Sequence, residues 1–498
     1  MHESCGVFGI WVPEGNVATD SYFGLLQMQH RGQESAGIVV SQEGKLFSHL
    51  GMGTVDRVFA EEIPEEKLVK NIVELHEKGI SQKDIITYLK ENKVTMKESI
   101  LEKLKGRIAI GHVRYSTTGA SMVANIQPMM GWFQGRQFAV SHNGNLVHTQ
   151  KLREECGKKG YQFRTTTDTE IIVALMATSQ KKDFIEALLE VLPQLEGAFS
   201  LAILFEDIVI GVRDSFGIRP LCWGTRNGTY IISSESCALD VLGARLGGEV
   251  APGQMIIFKD GKEKRLFWAK NPSLSGLCIF EYIYFARPDS IIEGKTLYRV
   301  REKMGMLLFE EHPAPKAGLV ISVPDSGNAG AFGYARQSKL PVTTYGLFRS
   351  HTIGRSFIEP VVEIRKLLLK LKFNPIPEIV QGLRLVVVDD SIVRAFTSPR
   401  VTQLLMEAKV KAMDFRIFSP PIRFPCYLGI DTPTLGQLAR TEYKTNEEII
   451  QYLRKKTGFQ GELTLGHLSL DSTIKATGLV EKNFCTGCFD RNYPVPLE

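Results

Sequence analysis

The sequence predicts two units of different architecture, an α+β unit followed by an α/β unit. Residues 5–255 contain many short β-type runs bounded by glycine, a pattern typical of sheets with a few helices. From about residue 278 to residue 445, apolar runs alternate with helical patterns, as in a parallel sheet that is covered on both faces. The chain of 498 residues is too long for one ordinary core, so about two to four domains are expected.

The first unit contains predicted strands such as Gln137–Ser141 and Ser200–Phe205. Residues 62–105 break this pattern, because they are rich in Glu and Lys and place apolar residues at helical spacing. We predict a helical insertion with a solvated face, whose role is structural rather than functional.

The second unit is assigned to residues 256–445 and contains two largely apolar runs, Gly318–Val323 and Leu385–Val388. Parallel strands that are buried on both faces have this composition. A tail, residues 446–498, holds a further helical pattern and ends in a Cys-x-x-Cys motif.

Composition and charge exclude several classes of protein. The formal net charge is +5 and no basic run interleaved with aromatic residues stands out, so no nucleic acid partner is expected. No apolar stretch approaches the ~20 residues of a membrane span and Met1–Ser4 is no signal peptide, so no membrane association is expected. Eight cysteines are sparse for this length, which favours a reduced, cytoplasmic setting over a disulfide framework.

Cys5 lies so close to the N-terminus that a small trim would make it the terminal residue. It would then carry a thiol that attacks and an α-amine that moves protons. An α-amine has a pKa of about 7.7–8.0, so it can act as a base near neutral pH without a neighbouring histidine. The alternative is a small buried cysteine on a first strand.

Four residues downstream supply what a thiol needs to attack the carboxamide of a free amino acid. Oxyanion donors can come from the side-chain amide of Asn143 and the backbone N–H of Gly144. Arg114 can bind an α-carboxylate through a bidentate fork, and Asp168 can bind an α-ammonium group. Taken singly, Asn143-Gly144 is most often a hairpin turn and Asp168 a helix N-cap, and these alternatives stay open at this point.

Two adjacent acids, Asp389 and Asp390, end an apolar run of the second unit and precede a turn into a helix. Ligands of α/β sheets bind at the carboxyl ends of strands. Paired carboxylates there suit the hydroxyls of a ribose and an attached Mg²⁺, and the loop that follows can present N–H groups to a phosphate. A strand that ends in two acids also occurs without any ligand.

The motifs of the first unit, in this order behind a near-terminal cysteine, resemble the glutaminase domain of N-terminal-nucleophile amidotransferases. Residues 386–394 resemble the phosphoribosylpyrophosphate (PRPP) motif of type I phosphoribosyltransferases. With both in one chain, nearly the whole sequence is similar to the glutamine PRPP amidotransferase family. Residues 281–290, 323–327 and 419–421 add to the resemblance.

The resemblance implies a fold and an activity. The fold is an α+β N-terminal-nucleophile hydrolase domain, built as an αββα sandwich, followed by an α/β type I phosphoribosyltransferase domain. The activity transfers ammonia from glutamine to PRPP, which gives 5-phosphoribosylamine, glutamate and pyrophosphate in the first committed step of purine synthesis. Purine nucleotides are the implied feedback ligands, and the assembly is expected to be a homo-oligomer.

The resemblance also implies site residues. Residues 1–4 form a pro-segment whose removal exposes the nucleophile, and residues 362–382 resemble the mobile loop that closes over PRPP. In the first domain the catalytic residues are Cys5, Asn143 and Gly144, and the glutamine-binding residues are Arg114 and Asp168. In the second domain PRPP is bound by Asp389, Asp390, Arg394, Thr397, Ser398 and Lys372, and Mg²⁺ by Ser326, Asp389 and Asp390.

The cysteines indicate an iron–sulfur subgroup, because cluster-bearing relatives carry cysteines in the same contexts. Four thiolates from distant loops can hold a [4Fe–4S] cluster, and the implied ligands are Cys278, Cys426, Cys485 and Cys488. A redox disulfide between the last two is the alternative. The sequence gives Cys156, Cys222 and Cys237 no such context, and we interpret them as core residues.

The phosphate loop departs from the family pattern of Arg-Gly-Thr-Thr, since it reads Arg394-Ala395-Phe396-Thr397. Alanine disfavours the positive φ that glycine allows, and phenylalanine removes a hydroxyl donor. The closing loop is also unusually apolar, and Pro377 stands where relatives tend to have a basic residue. We expect these departures to affect PRPP affinity more than the fold.

Two other functions therefore remain to be weighed at the level of sequence. One is a glutaminase-competent paralogue with an impaired or altered phosphoribosyl site, and the other is a non-catalytic regulatory relative. The intact glutaminase motifs weigh against the second. A glutamine–sugar-phosphate aminotransferase would share the first half but lack the motif at Asp389-Asp390.

Overall fold

The structure is a computed structural model that describes residues 5–60, 100–115, 122–273, 276–350, 373–395, 397–430, 435–480 and 483–497. Several sequence predictions lie outside these ranges: the pro-segment 1–4, Lys372, Phe396 and most of the insertion at 62–105. Among the described residues, no helix combines the length and the apolar character needed to cross a membrane.

The first domain is built from two antiparallel sheets. Its strands are β1 Gly6–Trp11, β2 Ser35–Gln42, β3 Lys45–Met52, β4 Ile108–Arg114, β5 Met129–Phe133, β6 Arg136–Leu146, β7 Gly197–Phe205, β8 Ile208–Arg213, β9 Cys222–Arg226, β10 Thr229–Ser233, β11 Arg245–Glu249, β12 Gln254–Lys259 and β13 Lys262–Phe267. Seven of them form a sheet in the order β11-β9-β10-β1-β4-β2-β3, and six form a sheet in the order β13-β12-β8-β7-β6-β5.

Helices cover the outer faces of both sheets. They are α1 Ala18–Gln27, α2 Val55–Val58, α3 Ile100–Lys103, α4 Thr149–Lys158, α5 Thr169–Thr178, α6 Phe184–Val191 and α7 Cys237–Val241. Side chains alternate along β1, so Val7 packs with Ala202 between the sheets while Phe8 packs with Leu25 of α1 outside them. A third core packs α5 and α6 against the six-stranded sheet. These layers confirm the predicted αββα sandwich.

The second domain is built on a parallel sheet of five strands, in the order Val342–Thr343, Leu319–Ser322, Arg384–Asp389, Ala412–Ile417 and Glu462–His467. The strands after the first domain are β14 Leu277–Cys278, β15 Ile291–Ile292, β16 Lys295–Thr296, β17 Leu319–Ser322, β18 Val342–Thr343, β19 Leu347–Arg349, β20 Phe373–Pro375, β21 Arg384–Asp389, β22 Ala412–Ile417, β23 Glu462–His467 and β24 Phe484–Cys485. The helices are α8 Leu297–Glu311, α9 Asn328–Ser338, α10 Pro377–Val380, α11 Thr397–Glu407, α12 Ala439–Glu442, α13 Asn446–Thr457, α14 Leu470–Thr477 and α15 Gly487–Asp490.

Both faces of this sheet are buried, as the apolar runs predicted. Val386 and Val388 of β21 pack into a core on the side of α8 and α9, whereas Leu385 and Val387 pack into a core on the side of α11 and α13. The tail predicted from residue 446 contributes β23 to the edge of this sheet. It also supplies β24, which pairs in parallel with β14.

A fully buried ionic network joins the two domains. Arg31 donates through Nη2 to Glu281 Oε1 at 2.6 Å and through Nη1 to Glu235 Oε1 at 2.5 Å. Arg219 lies 2.6 Å from the same Glu281 oxygen. Glu281 is the first residue of the short π-helical segment Glu281–Phe285, at the start of the second domain. Arg31 and Glu281 are 250 positions apart in the sequence, so their ion pair links the two domains.

Mutual pairing keeps these groups charged despite their burial. Burial alone would lower the pKa of Arg31, but the carboxylates of Glu281 and Glu235 raise it above its ordinary value. Burial alone would raise the pKa of Glu235, but His30 and Arg31 hold it well below its ordinary value. Removing one partner would therefore leave an uncompensated buried charge.

We predict that Arg31→Met lowers the free energy of unfolding by about 3–5 kcal/mol, the typical cost of breaking a buried ion pair from one side. Urea denaturation followed by tryptophan fluorescence measures this loss. The matched control is Arg136→Met, which removes a half-exposed pair with Glu206 and should cost about 1 kcal/mol or less. Equal losses in the two variants would contradict the stabilising role of the network.

Candidate active sites

Cys5 lies at the start of β1 with only 5% of its surface exposed. Its Sγ is 3.5 Å from the carbonyl oxygen of Tyr115, which follows β4. Its own carbonyl oxygen accepts a hydrogen bond of 3.0 Å from Nε of Arg31. The buried interdomain network therefore also fixes the backbone of the predicted nucleophile.

The charged residues predicted to bind glutamine converge on this thiol. Burial has the largest effect on the pKa of Cys5 and raises it. The positive charge of Arg114 lowers this pKa, and the negative charges of Asp168 and Glu34 raise it. Arg114 also donates to Glu34 Oε1 at 2.6 Å. The site thus presents one cation and two carboxylates around a buried sulfur.

Asp168 occupies the N-cap position of α5, but its side chain makes no capping hydrogen bond. Its Oδ2 instead accepts from the backbone N–H of Leu146 at 2.8 Å and lies 3.7 Å from His142 Nδ1. The simple capping interpretation is therefore wrong for this carboxylate, which is turned toward β6 and the thiol.

Asn143 and Gly144 lie within β6 and do not form a hairpin turn, since they pair with Ser200 and Phe199 of β7. Gly144 has φ +152°, and a Cβ there would come within 1.9 Å of the Ala198 carbonyl oxygen. Only glycine fits this position.

The side chain of Asn143 is fully buried. Its Nδ2 donates to Ser234 Oγ at 3.3 Å, and its Oδ1 has no hydrogen-bond partner within the part of the chain that the structure describes. The same Ser234 oxygen accepts from the backbone N–H of Val7 at 3.0 Å, so it joins β1 to the amide.

The predicted PRPP acids lie at the carboxyl end of β21, in the centre of the parallel sheet. Asp389 Oδ1 accepts from the backbone N–H of Asp390 at 2.9 Å, and the Asp390 carboxylate contacts the hydroxyls of Ser326 and Ser391. Burial raises the pKa of Asp390, and these hydrogen bonds oppose the rise. Two carboxylates and the Ser326 hydroxyl thus stand together, and these are hard oxygen donors of the kind Mg²⁺ prefers.

The loop after these acids holds Ala395 at φ +52°, in the left-handed region that glycine tolerates and alanine does not. Nε of Arg394 is buried without a hydrogen-bond partner among the described residues. Helix α11 begins at Thr397 and includes Ser398, so both predicted phosphate ligands lie at a helix N-terminus.

The four cysteines assigned to a cluster come together around the paired strands β14 and β24. Cys278 and Cys485 are register partners, and the backbone N–H of Leu428 lies 3.3 Å from Cys426 Sγ. The carbonyl of Cys488 accepts from the N–H groups of residues 423 and 424. Burial raises the pKa of the Cys488 thiol, and the other three thiols raise it further, so all four lie within electrostatic range.

These thiols are not spaced as ligands of a single ion. In the described part of the chain, no three His, Cys, Asp or Glu side chains are arranged to hold one metal ion. A four-iron cluster binds each thiolate through a different iron, so its sulfurs stand further apart. Four converging thiols fit such a cluster, and none of the eight cysteines forms a disulfide.

Sequence reasoning assigned no role to three residues that the structure places at these sites. Arg31 and Ser234 contact Cys5 and Asn143 respectively, and Gly429 of the second domain approaches Gly144. Arg31 stands in the run His30-Arg31-Gly32 downstream of Cys5, and this run was a usable signal. The other two are a serine and a glycine without a distinctive pattern around them.

By its fold, this is an N-terminal-nucleophile domain followed by a type I phosphoribosyltransferase domain. Residues 112–241 match the glutamine amidotransferase domain family. The chain is 38% identical to an amidophosphoribosyltransferase of Methanothermobacter thermautotrophicus, over 100% of this chain and 96% of the relative. It is 40% identical to an amidophosphoribosyltransferase of Archaeoglobus fulgidus, over 99% and 98%.

Solved structures give the same result. The glutamine PRPP amidotransferase of B. subtilis, complexed with ADP and GMP, superposes with a TM-score of 0.82 at 34% identity, over 99% of this chain and 98% of that chain. The chain therefore belongs to the amidophosphoribosyltransferase family. Its activity is the glutamine-dependent conversion of PRPP to 5-phosphoribosylamine, the first step of purine biosynthesis.

We predict that Cys5 reacts slowly with iodoacetamide in chains that retain residues 1–4. Burial raises the pKa of the thiol, so its thiolate fraction at pH 8 is small and its alkylation rate should still rise between pH 8 and pH 10. A chain produced to begin at Cys5 gains an α-amine that can take the proton, and it should react faster at pH 8. Mass spectrometry of the Cys5 peptide measures both rates, and equal rates would show that the amine does not activate the thiol.

Proposed function

We propose that glutamine is hydrolysed at Cys5 and that the ammonia reacts with PRPP at Asp389 and Asp390. The observation that carries the first half is that the charges of Arg114 and Asp168 act on one buried thiol. Ser234 also joins the Asn143 amide to β1, the strand that follows Cys5. The second half is supported by two carboxylates at the carboxyl end of a central parallel strand.

In the glutamine step, Arg114 binds the α-carboxylate and Asp168 binds the α-ammonium group. The terminal α-amine of Cys5 takes the thiol proton, and the sulfur attacks the carboxamide carbon. The same proton then goes to the leaving nitrogen, so ammonia departs and a thioester remains. Water hydrolyses the thioester to glutamate and restores the thiol.

Ser234 orients the Asn143 amide so that it can stabilise the tetrahedral oxyanion. In the structure Nδ2 of Asn143 donates to Ser234 Oγ. A flip of the amide exchanges Nδ2 and Oδ1, so that Oδ1 accepts from the Ser234 hydroxyl and the NH₂ group donates to substrate. The N–H of Gly144 is the second donor, since backbone amides aimed at a developing charge are a strong source of catalysis.

In the phosphoribosyl step, ammonia attacks the anomeric carbon of PRPP and pyrophosphate leaves. Asp389 and Asp390 accept hydrogen bonds from the ribose hydroxyls, while Arg394, Thr397 and Ser398 bind the 5′-phosphate at the start of α11. Ser326, Asp389 and Asp390 would hold Mg²⁺, which neutralises pyrophosphate charge when bound. We include Lys372 as a PRPP ligand on family resemblance alone.

The cysteines Cys278, Cys426, Cys485 and Cys488 are proposed to hold a [4Fe–4S] cluster with a structural role. Their support is the pairing of β14 with β24, which brings the C-terminal tail onto the segment that joins the domains. Through these four ligands the cluster would hold the C-terminal tail on the second domain, and the loss of one ligand would release the tail. No catalytic step involves these residues.

Other parts of the proposal concern ligands and assembly. The B. subtilis relative was solved with ADP and GMP, which supports purine nucleotides as feedback ligands here. Met130 and Trp132 are exposed on edge strand β5, which supports a homo-oligomer. Eight cysteines that form no disulfide support a reduced, cytoplasmic setting.

We predict that active protein begins at Cys5, because only then does the α-amine exist, and intact-mass analysis measures this. Cys5→Ala should abolish glutamine-dependent activity and leave ammonia-dependent pyrophosphate release, since the two reactions occur in separate domains. Cys156→Ala is the matched control, a buried cysteine outside the site, and should retain both activities. Glutamine-dependent activity in Cys5→Ala, or in protein that keeps residues 1–4, would contradict the assignment.

We predict that the phosphate loop binds PRPP weakly and that Ala395→Gly with Phe396→Thr tightens binding. Glycine removes a left-handed alanine that costs about 1–2 kcal/mol, and threonine restores a donor to a charged group worth ~1.5–3 kcal/mol. The donor alone corresponds to a roughly ten- to a hundredfold lower Kd, measurable by calorimetry with PRPP and Mg²⁺.

The control is Lys339→Gly, which relieves a similar left-handed residue at φ +60° away from this loop. It should leave the Kd for PRPP unchanged, and basal glutaminase activity should be unchanged in all three proteins. A double variant that binds PRPP no better than the parent would make the loop argument wrong. If neither protein binds PRPP, the phosphoribosyl site is impaired or altered for another ligand.

We predict about four irons per chain and broad visible absorption after anaerobic purification. Cys488→Ser should lose iron and expose the tail to proteolysis, because the ligand tie to the second domain is broken. Cys222→Ser, which changes a buried cysteine outside the cluster, should keep its iron. Folded protein with a protected tail and no iron would contradict the cluster.

A further inference from the structure

A loop of the second domain packs directly against Gly144. Gly429 has φ +100°, and a Cβ placed on it would lie 2.8 Å from both the Cα and the carbonyl carbon of Gly144. A Cβ on Gly144 would in turn strike the carbonyl of Ala198. The backbone of Gly144 is therefore held between β7 of its own domain and Gly429 of the other.

Two further contacts hold this loop in place beside β6. Asn145, the next residue after Gly144, donates through Nδ2 to the Tyr427 carbonyl at 2.8 Å. Leu428 is buried in a small cluster with Ala198, the residue whose carbonyl faces Gly144. Residues 427–429 thus contact Gly144 itself, its neighbour Asn145 and the facing residue Ala198.

The base of the loop is also anchored by the C-terminal segment. The hydroxyl of Tyr493 donates to the Pro425 carbonyl at 2.5 Å, and the N–H groups of Arg423 and Phe424 donate to the Cys488 carbonyl at 2.9 and 3.1 Å. The C-terminal segment therefore fixes the position from which Gly429 meets Gly144.

We infer that Gly429 is a positioning residue for glutamine hydrolysis, because it fixes the N–H of Gly144 from the second domain. This inference rests on the proposed function, in which that N–H stabilises the oxyanion. A hydrogen-bond donor that is already aimed at the oxyanion stabilises it without a cost of reorganisation. A donor that is displaced loses this advantage. Glutamine binding through Arg114 and Asp168 does not involve this contact.

The test compares Gly429→Ala with the parent in the full-length enzyme. Loss of one oxyanion donor costs about 10²–10³ in kcat, so displacement of Gly144 should lower kcat for glutamine hydrolysis on the order of 10- to 100-fold. KM for glutamine should change less than about threefold, as expected when only transition-state stabilisation is lost. Ammonia-dependent pyrophosphate release should be unchanged.

Gly458→Ala is the matched control, because Gly458 also has a positive φ of +73° but no described residue lies within 4 Å of its added Cβ. It should retain the parental kcat. Asn145→Ala provides a second variant that breaks the adjacent contact without backbone strain, and it should lower kcat severalfold.

The outcomes separate this inference from the proposed function. If Cys5→Ala is inactive with glutamine while Gly429→Ala and Asn145→Ala keep the parental kcat, the positioning role is overturned. If Cys5→Ala hydrolyses glutamine, the proposed function itself fails. Should Gly429→Ala not fold, as circular dichroism would show, Asn145→Ala alone decides, and an unchanged kcat overturns the inference.

Discussion

The fold depends on two buried arginines that share carboxylates across the domain boundary. Arg31 pairs with Glu235 of the first domain and with Glu281 of the second, and Arg219 shares Glu281. A buried charge that loses its partner is strongly destabilising, so the two domains must meet in the one arrangement that pairs all of these groups. The Nε of Arg31 also donates to the Cys5 carbonyl, and the proposed nucleophile is therefore positioned by the junction itself.

Residues of the second domain near this junction contact or influence both candidate sites. Arg301 of α8 donates to the backbone carbonyls of Tyr282 and Ala286, next to Glu281, and its charge acts on Asp390. The loop at Gly429 returns to Gly144 from the other direction. A chain of contacts thus runs from Cys5 through Arg31, Glu281 and Arg301 toward Asp390.

Much of the fold could be predicted because local pattern and burial agree. The run Leu385–Val388 is apolar since both faces of β21 are covered, and its two acids fall where the strand ends. The glutaminase residues could be assigned from the family order, although the sequence alone did not separate a capping Asp168 from one facing the thiol.

Other features could not be predicted, because they depend on contacts between distant segments. Arg31 and Glu281 are 250 residues apart, and Gly429 meets Gly144 only through the packing of two domains. The positive φ of Ala395 shows the reverse case, in which a departure from a familiar motif correctly indicated local strain. Phe396 and Lys372 lie outside the described residues and stay predictions.

The most direct test of the whole account measures glutamate and pyrophosphate together, with PRPP and Mg²⁺ supplied and either glutamine or ammonia as the nitrogen source. We expect pyrophosphate release with both nitrogen sources, and equal amounts of glutamate and pyrophosphate when glutamine is used. Glutamate formation without pyrophosphate from either source would contradict it, since the second domain would then not be a phosphoribosyl site.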